Sequence, residues 1–134
     1  MSDPRSEARI VLLVEDETTA RNGVALVLRR HGYTVFAVAD GQRALELLLA
    51  GARPDLILLD MPVPALDGWH LLGRLKDLPQ RAPPVVVTTG TILTREWAAD
   101  NGCAGFVKKP IQEAELLEEV RRCLRGGARR GRRA

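Results

Sequence analysis

Five short apolar runs, at residues 10–14, 33–38, 55–59, 84–88 and 105–107, alternate with stretches of helical periodicity, and this alternation most constrains the fold. The runs are rich in Val, Ile and Leu and nearly continuous, which suits strands covered on both faces rather than on one. Between them, residues 18–30 bring Ala20, Val24, Val27 and Leu28 to one side, and residues 41–50 bring Leu45, Leu48 and Leu49 together behind a candidate N-cap at Asp40. Gly32 and Gly51 fall where C-terminal glycines belong. A helix over 68–76 follows a candidate cap at Asp67, and a short one over 94–100 is capped by Thr94. A last helix over 111–125 turns Ile111, Leu116, Leu117, Val120 and Leu124 inward, with Pro110 at its start. Strand followed by helix, five times over, predicts an α/β domain, a five-stranded parallel sheet doubly wound by helices, over residues 9–125. Residues 1–8 and 126–134 are expected to be loosely ordered ends.

A chain of 134 residues accommodates one such domain without disulfide support. No apolar run approaches the roughly 20 residues that span a bilayer, and the N-terminus lacks the apolar core of a signal peptide, so the expected setting is the cytoplasm. Cys103 and Cys123 show no metal-ligand spacing and read as packing residues. Of the 20 basic residues, four (Arg129, Arg130, Arg132, Arg133) lie in residues 126–134, where there is no acid; the body holds the other 16 against 17 acids. The net charge of +3 therefore belongs to the tail.

The residues that follow the predicted strands carry the chemistry. Glu15, Asp16 and Glu17 follow the first, Asp60 ends the third, Thr88 and Thr89 end the fourth, and Lys108 and Lys109 end the fifth. Ligands of open α/β sheets bind beyond the carboxyl ends of the strands, so four segments deliver acids, a hydroxyl and an ammonium to one edge. Crowded carboxylates call for a cation, and an all-oxygen site of this size suits Mg²⁺. A carboxylate ionised at neutral pH, a metal, an ammonium and a hydroxyl together suit phosphoryl transfer to the carboxylate. Neither a GxxxxGK[ST] loop nor a GxGxxG motif is present, and the acidic first turn disfavours a nucleotide phosphate.

The residues 11–17 (VLLVEDE), 60–68 (DMPVPALDG), 84–90 (PVVVTTG) and 102–110 (GCAGFVKKP) resemble, in order and spacing, the receiver domains of two-component response regulators. The resemblance covers about residues 9–125 and implies a flavodoxin-like strand order 2-1-3-4-5. It further implies Asp60 as phosphoacceptor, Asp16 and Asp60 as Mg²⁺ ligands with the Pro62 carbonyl, and Glu15 acting through water. Lys109 would contact the phosphoryl oxygens, with a cis Lys109–Pro110 bond. Thr89, five residues past Pro84, would turn inward to the phosphoryl group, and Phe106 would be the switch aromatic that follows it. Thr88 is the neighbouring candidate but faces the opposite side of its strand. Glu15 stands where aspartate is commoner, Val63 where methionine is usual and Gly90 where alanine is usual, and the 91–100 stretch is about two residues short.

The resemblance implies a histidine kinase or phosphotransfer protein as donor and an unknown downstream protein as partner. It implies no enzyme activity beyond self-phosphorylation and autodephosphorylation. Because the sequence ends soon after the last helix, the chain is expected to act alone, as a monomer or weak homodimer, through phosphorylation-dependent interaction or a phosphorelay. The alternative is a phosphorylation-independent interaction module on the same scaffold, perhaps dimeric. The Arg-rich tail lacks interleaved aromatics, so specific nucleic-acid reading is not expected, nor is membrane association. His31 and His70 read as surface or structural residues, and Trp69 and Trp97 fit core or anchor positions equally.

Overall fold

The computed structural model describes the backbone of residues 9–61, 66–90 and 92–131, and the side chains of these apart from 66–69 and 127–131. Strands β1 (Ile10–Val14), β2 (Thr34–Val38), β3 (Leu56–Asp60), β4 (Val85–Thr89) and β5 (Gly105–Lys108) alternate with helices. The helices are α1 (Thr18–Arg30), α2 (Gly41–Leu49), α3 (Leu66–Leu75), α4 (Arg95–Asp100) and α5 (Glu113–Gly131). Every strand pairing is parallel and the order is β2-β1-β3-β4-β5.

The continuous apolar runs are explained by the two layers they support. Alternate residues Leu12, Val14, Ile57, Leu59, Val85, Val87 and Phe106 pack against Leu45 and Leu48 of α2, Leu71 of α3 and Ala98 of α4. The intervening residues Val11, Leu13, Leu56, Leu58, Val86 and Val107 pack against Leu28 of α1 and Leu116, Leu117 and Val120 of α5. The edge strand β2 is half open, with Phe36 51% exposed. Among the described residues no helix is long and apolar enough to cross a membrane.

Local signals placed most helix ends. The side chain of Asp40 accepts from Arg43 N at 2.8 Å, and that of Thr94 from Trp97 N at 3.0 Å. Gly32 and Gly51 have φ of +93° and +107°, the left-handed region that a side chain disfavours.

Four details depart from expectation. Helix α3 begins at Leu66, so Asp67 lies in its first turn rather than at its cap. Helix α5 begins at Glu113, three residues after Pro110, while Ile111 still packs on the α1–α5 layer. Helix α5 also runs to Gly131, past the predicted end at Arg125, although three of the six added residues are glycines; the charges of Arg129 and Arg130 suit the negative helix C-terminus. Finally, Leu49 is 55% exposed: Leu48 is fully buried, and the next residue is turned about 100° away from it.

Candidate functional site

The parallel register brings the strand ends level. Asp60 pairs with Thr88, Thr89 with Lys108, and Val14 with Leu59. Glu15 and Asp16, just past β1, therefore sit beside Asp60, and ligand atoms of the three carboxylates lie within 4.8 Å of one another. Lys109, just past β5, places Nζ 2.7 Å from Asp60 Oδ1 and 3.3 Å from Glu15 Oε1. Its own backbone N–H donates to the Thr89 carbonyl at 2.8 Å, which fixes the lysine at the mouth of the sheet. The Lys109–Pro110 bond is cis, as the resemblance implied.

Burial sets the electrostatics. The side chain of Glu15 is only 4% exposed, and Asp16 is open to solvent. Burial pushes the Glu15 carboxyl above its ordinary value; the Glu17 N–H that donates to it opposes this, and the nearby Asp60 charge adds to the rise. For Lys109, burial alone would lower the ammonium, but its hydrogen bond to Asp60 and the charges of Asp60 and Glu15 outweigh that and hold it above its ordinary value. One ammonium thus pairs with two of three clustered carboxylates. The remaining negative charge and the all-oxygen donor set fit a small hard dication such as Mg²⁺. Pro62, whose carbonyl was expected to complete such a site, lies outside the described residues.

The two threonines divide between the faces of β4. Thr88 shares the face of Asp60, and its hydroxyl donates to Asp60 Oδ1 at 3.5 Å, the limit of a hydrogen bond. Thr89 is fully buried, and its hydroxyl donates to the Met61 carbonyl at 3.1 Å. Strand alternation puts it on the side where Val85, Val87 and Phe106 pack. The structure thus brings together Glu15, Asp16, Asp60 and Lys109, with Thr88 at their margin. Thr89 and Phe106 lie on the other face of the sheet, which carries the α2–α4 layer. A Cβ added at Gly90 would meet Lys109 Cβ at 3.5 Å, an ordinary contact, so the alanine usual in the resembling proteins would fit.

Two supporting roles escaped sequence reasoning. Arg21 Nη1 donates to the carbonyls of Glu15 (2.9 Å) and Asp16 (3.4 Å) and braces the acidic turn. No local pattern marks an arginine on the first turn of a helix for that task. Glu17 caps α1, accepting from Ala20 N (2.8 Å) and Thr19 N (3.0 Å). Caps are sought among Ser, Thr, Asp and Asn, so a glutamate there carries little signal. Beside the site, an apolar groove of about 420 Å³ between α1 and the start of α5 is lined by Ala20, Val24, Val27, Ile111 and Leu116, with Lys109 at its rim.

Comparison with known proteins agrees with this geometry. The sequence profile described as the response regulator receiver domain matches residues 11–121. The transcriptional regulatory protein CseB of Streptomyces avermitilis is 36% identical over 126 residues, covering 90% of this chain and 51% of that protein. The response regulator MprA of Mycolicibacterium vanbaalenii is 33% identical over 116 residues, covering 86% and 50%. The chain spans about half the length of these relatives. Among solved structures, the signal receiver domain of a signal transduction histidine kinase from Syntrophus aciditrophicus superposes with a TM-score of 0.77 at 32% identity, covering 89% of this chain and 92% of that one. A CheY-like receiver domain protein from Methanospirillum hungatei shares the fold, with a TM-score of 0.79 at 22% identity over 91% of this chain and 98% of that one. Profile, relatives and fold converge: the chain belongs to the receiver domain family of response regulators.

Proposed function

We propose that this receiver domain accepts a phosphoryl group on Asp60 from a histidine kinase or phosphotransfer protein. The observation that carries the reading is the Lys109 ammonium, 2.7 Å from Asp60 Oδ1, beside a cluster of three carboxylates whose ligand atoms lie within 4.8 Å of one another. Asp60 attacks phosphorus through a carboxylate oxygen; the bond from phosphorus to the donor's imidazole nitrogen breaks, and the imidazole leaves with its electron pair and takes up a proton. Lys109 neutralises charge on the transferring oxygens. Asp16 and Asp60 would hold Mg²⁺ directly and Glu15 through water, with the Pro62 carbonyl as a further ligand; when bound, the ion screens the charge between carboxylate and phosphoryl group. Hydrolysis of the acyl phosphate by water resets the domain, and no other catalysis is proposed.

The groove beside Lys109 supports the choice of donor, because an apolar helix face seated there would lie next to Asp60. Thr89 and Phe106 are proposed as the responding pair: the Thr89 hydroxyl leaves the Met61 carbonyl for the phosphoryl group, and Phe106, on the same layer, repacks. Output is then read by a partner protein.

The test is intact mass after incubation with acetyl phosphate and Mg²⁺, for the native chain beside Asp60→Asn. One added phosphoryl group on the native chain alone is expected. Uptake by Asp60→Asn would displace the site. No uptake by the native chain from acetyl phosphate or from a phosphorylated histidine kinase would make it an interaction module that works without phosphorylation.

A further inference from the structure

A second charged cluster lies away from the acidic pocket, where α4 and α5 meet β5. Glu119 of α5 is nearly buried at 8% exposure. One of its oxygens, Oε2, accepts from the Phe106 backbone N–H (2.8 Å), from Arg95 Nη1 (3.0 Å) and from Arg122 Nη2 (2.9 Å). Arg95 Nη2 also donates to the Phe106 carbonyl at 3.2 Å, and the guanidinium carbon stands 5.8 Å from the centre of the Phe106 ring. The approach is tight. A Cβ at Gly105 would lie 2.7 Å from Glu119 Oε2 and 2.8 Å from Cys123 Sγ, so only glycine lets the carboxylate reach the strand.

Arg95 differs from Arg122 in what it is attached to. Arg122 is one turn along α5 from Glu119 on the same helix, and it also donates to the Ala104 carbonyl just before β5 at 2.9 Å, but it has no hydrogen bond to α4 among the described residues. Arg95 is the first residue of α4, five residues after Gly90, and Gly90 follows Thr89. Six residues apart in sequence, Thr89 is held by its hydroxyl on Met61 and Arg95 by its fork on Glu119 and Phe106. The Arg95 fork grips Phe106, which packs on the same face of the sheet as Thr89, so a move of Thr89 toward Asp60 that repacks Phe106 works against the fork.

We propose that Arg95 is a positioning residue, a latch that holds α4 and the Phe106 ring in the arrangement where Thr89 faces Met61, and that it opposes engagement of Thr89 with a phosphoryl group on Asp60. The inference rests on Asp60 being the phosphoacceptor. A group that stabilises one of two arrangements must weaken any ligand that favours the other, and removing it must strengthen that ligand by the same factor.

The experiment titrates beryllofluoride with Mg²⁺, a mimic of the phosphoryl group, and reads the midpoint from the fluorescence of Trp97 on α4 in a Trp69→Phe background. Arg95→Ala is expected to lower the midpoint about five- to tenfold. Arg122→Ala, which removes a partner of the same carboxylate without touching α4, is expected to leave it within about twofold. Arg95→Lys, which keeps the charge but loses the planar fork, serves if the alanine variant does not fold, and should lower the midpoint in the same direction. An unchanged midpoint in Arg95→Ala or, where that variant does not fold, in Arg95→Lys, or equal shifts in the Arg95 and Arg122 variants, would overturn the latch while leaving Asp60 as acceptor. A native chain that responds to neither beryllofluoride nor acetyl phosphate would instead overturn the phosphoacceptor reading.

Discussion

Glu15 and Glu119 are the two buried glutamates of the described residues, and their surroundings move them in opposite directions. Glu15 is pushed above its ordinary value by burial; the Glu17 N–H opposes the rise, Asp60 adds to it, and the ammonium shared with Asp60 opposes it further. Glu119 suffers burial too, yet Arg122, the Phe106 N–H and Arg95 overcome it and hold the carboxyl down at about 2. The difference lies in the partners: Glu15 shares one ammonium with Asp60, whereas the Glu119 carboxylate meets two guanidinium groups and a backbone N–H of its own. An under-neutralised cluster is built to receive charge, whereas a saturated one holds elements together.

The largest effect that would break this comparison is on stability. Removing the Glu119 carboxylate strands the buried Phe106 N–H and two guanidinium groups, so Glu119→Ala is expected to cost about 2–3 kcal/mol in urea unfolding without metal. Glu15→Ala removes one of three repelling acids and should cost less than about 1 kcal/mol under the same conditions. Equal losses would show that both clusters are structural.

The pH dependence sharpens the same contrast. A carboxyl held low in the folded chain stabilises it above the unfolded value, and that stability is lost as pH falls from about 4.5 through about 2. For Glu119 the loss should be about 2 kcal/mol, allowing for screening by arginines that are half exposed, and Glu119→Gln should flatten it. Glu15 has the opposite sign: its raised carboxyl favours folding when protonated, and that contribution fades as pH rises through its folded value. Glu15→Gln should therefore gain relative stability toward neutral pH. Thermal unfolding across pH 2–8 reads both slopes.

The effect of metal is smaller than either effect at Glu119. Mg²⁺ at ten times its dissociation constant should stabilise the native chain by about 1.4 kcal/mol, and Glu15→Gln should respond less at the same concentration. A substitution at Arg122, outside the acidic pocket, should leave the response intact. A shift of equal size in the Glu15 and native chains would remove Glu15 from the ion's surroundings.

Much of this architecture was legible before any coordinates. The runs of Val, Ile and Leu without polar alternation required a sheet covered twice, and counting from each run placed Glu15, Asp16, Asp60 and Lys109 at strand ends. These are local properties: side-chain period, turn glycines at 32 and 51, and the caps at Asp40 and Thr94 act within a few residues of chain. Asp67 shows the limit, since a good capping residue does not begin α3 when the backbone has already turned at Leu66.

The sequence by itself therefore determined the alternation of strand and helix, the sheet's two covered faces and the chemistry carried to its carboxyl edge, because each follows from short-range period and side-chain type. Tertiary structure alone decided which threonine hydroxyl meets Asp60 and which meets Met61, since that depends on pairing β4 with β3 in one register and not the next. It also decided that Glu119 would reach 13 residues back to Phe106 and 24 back to Arg95. Nothing local in the sequence marks that reach: it exists because Gly105 leaves room for a carboxylate, and a contact across elements is fixed by packing distance rather than by distance along the chain.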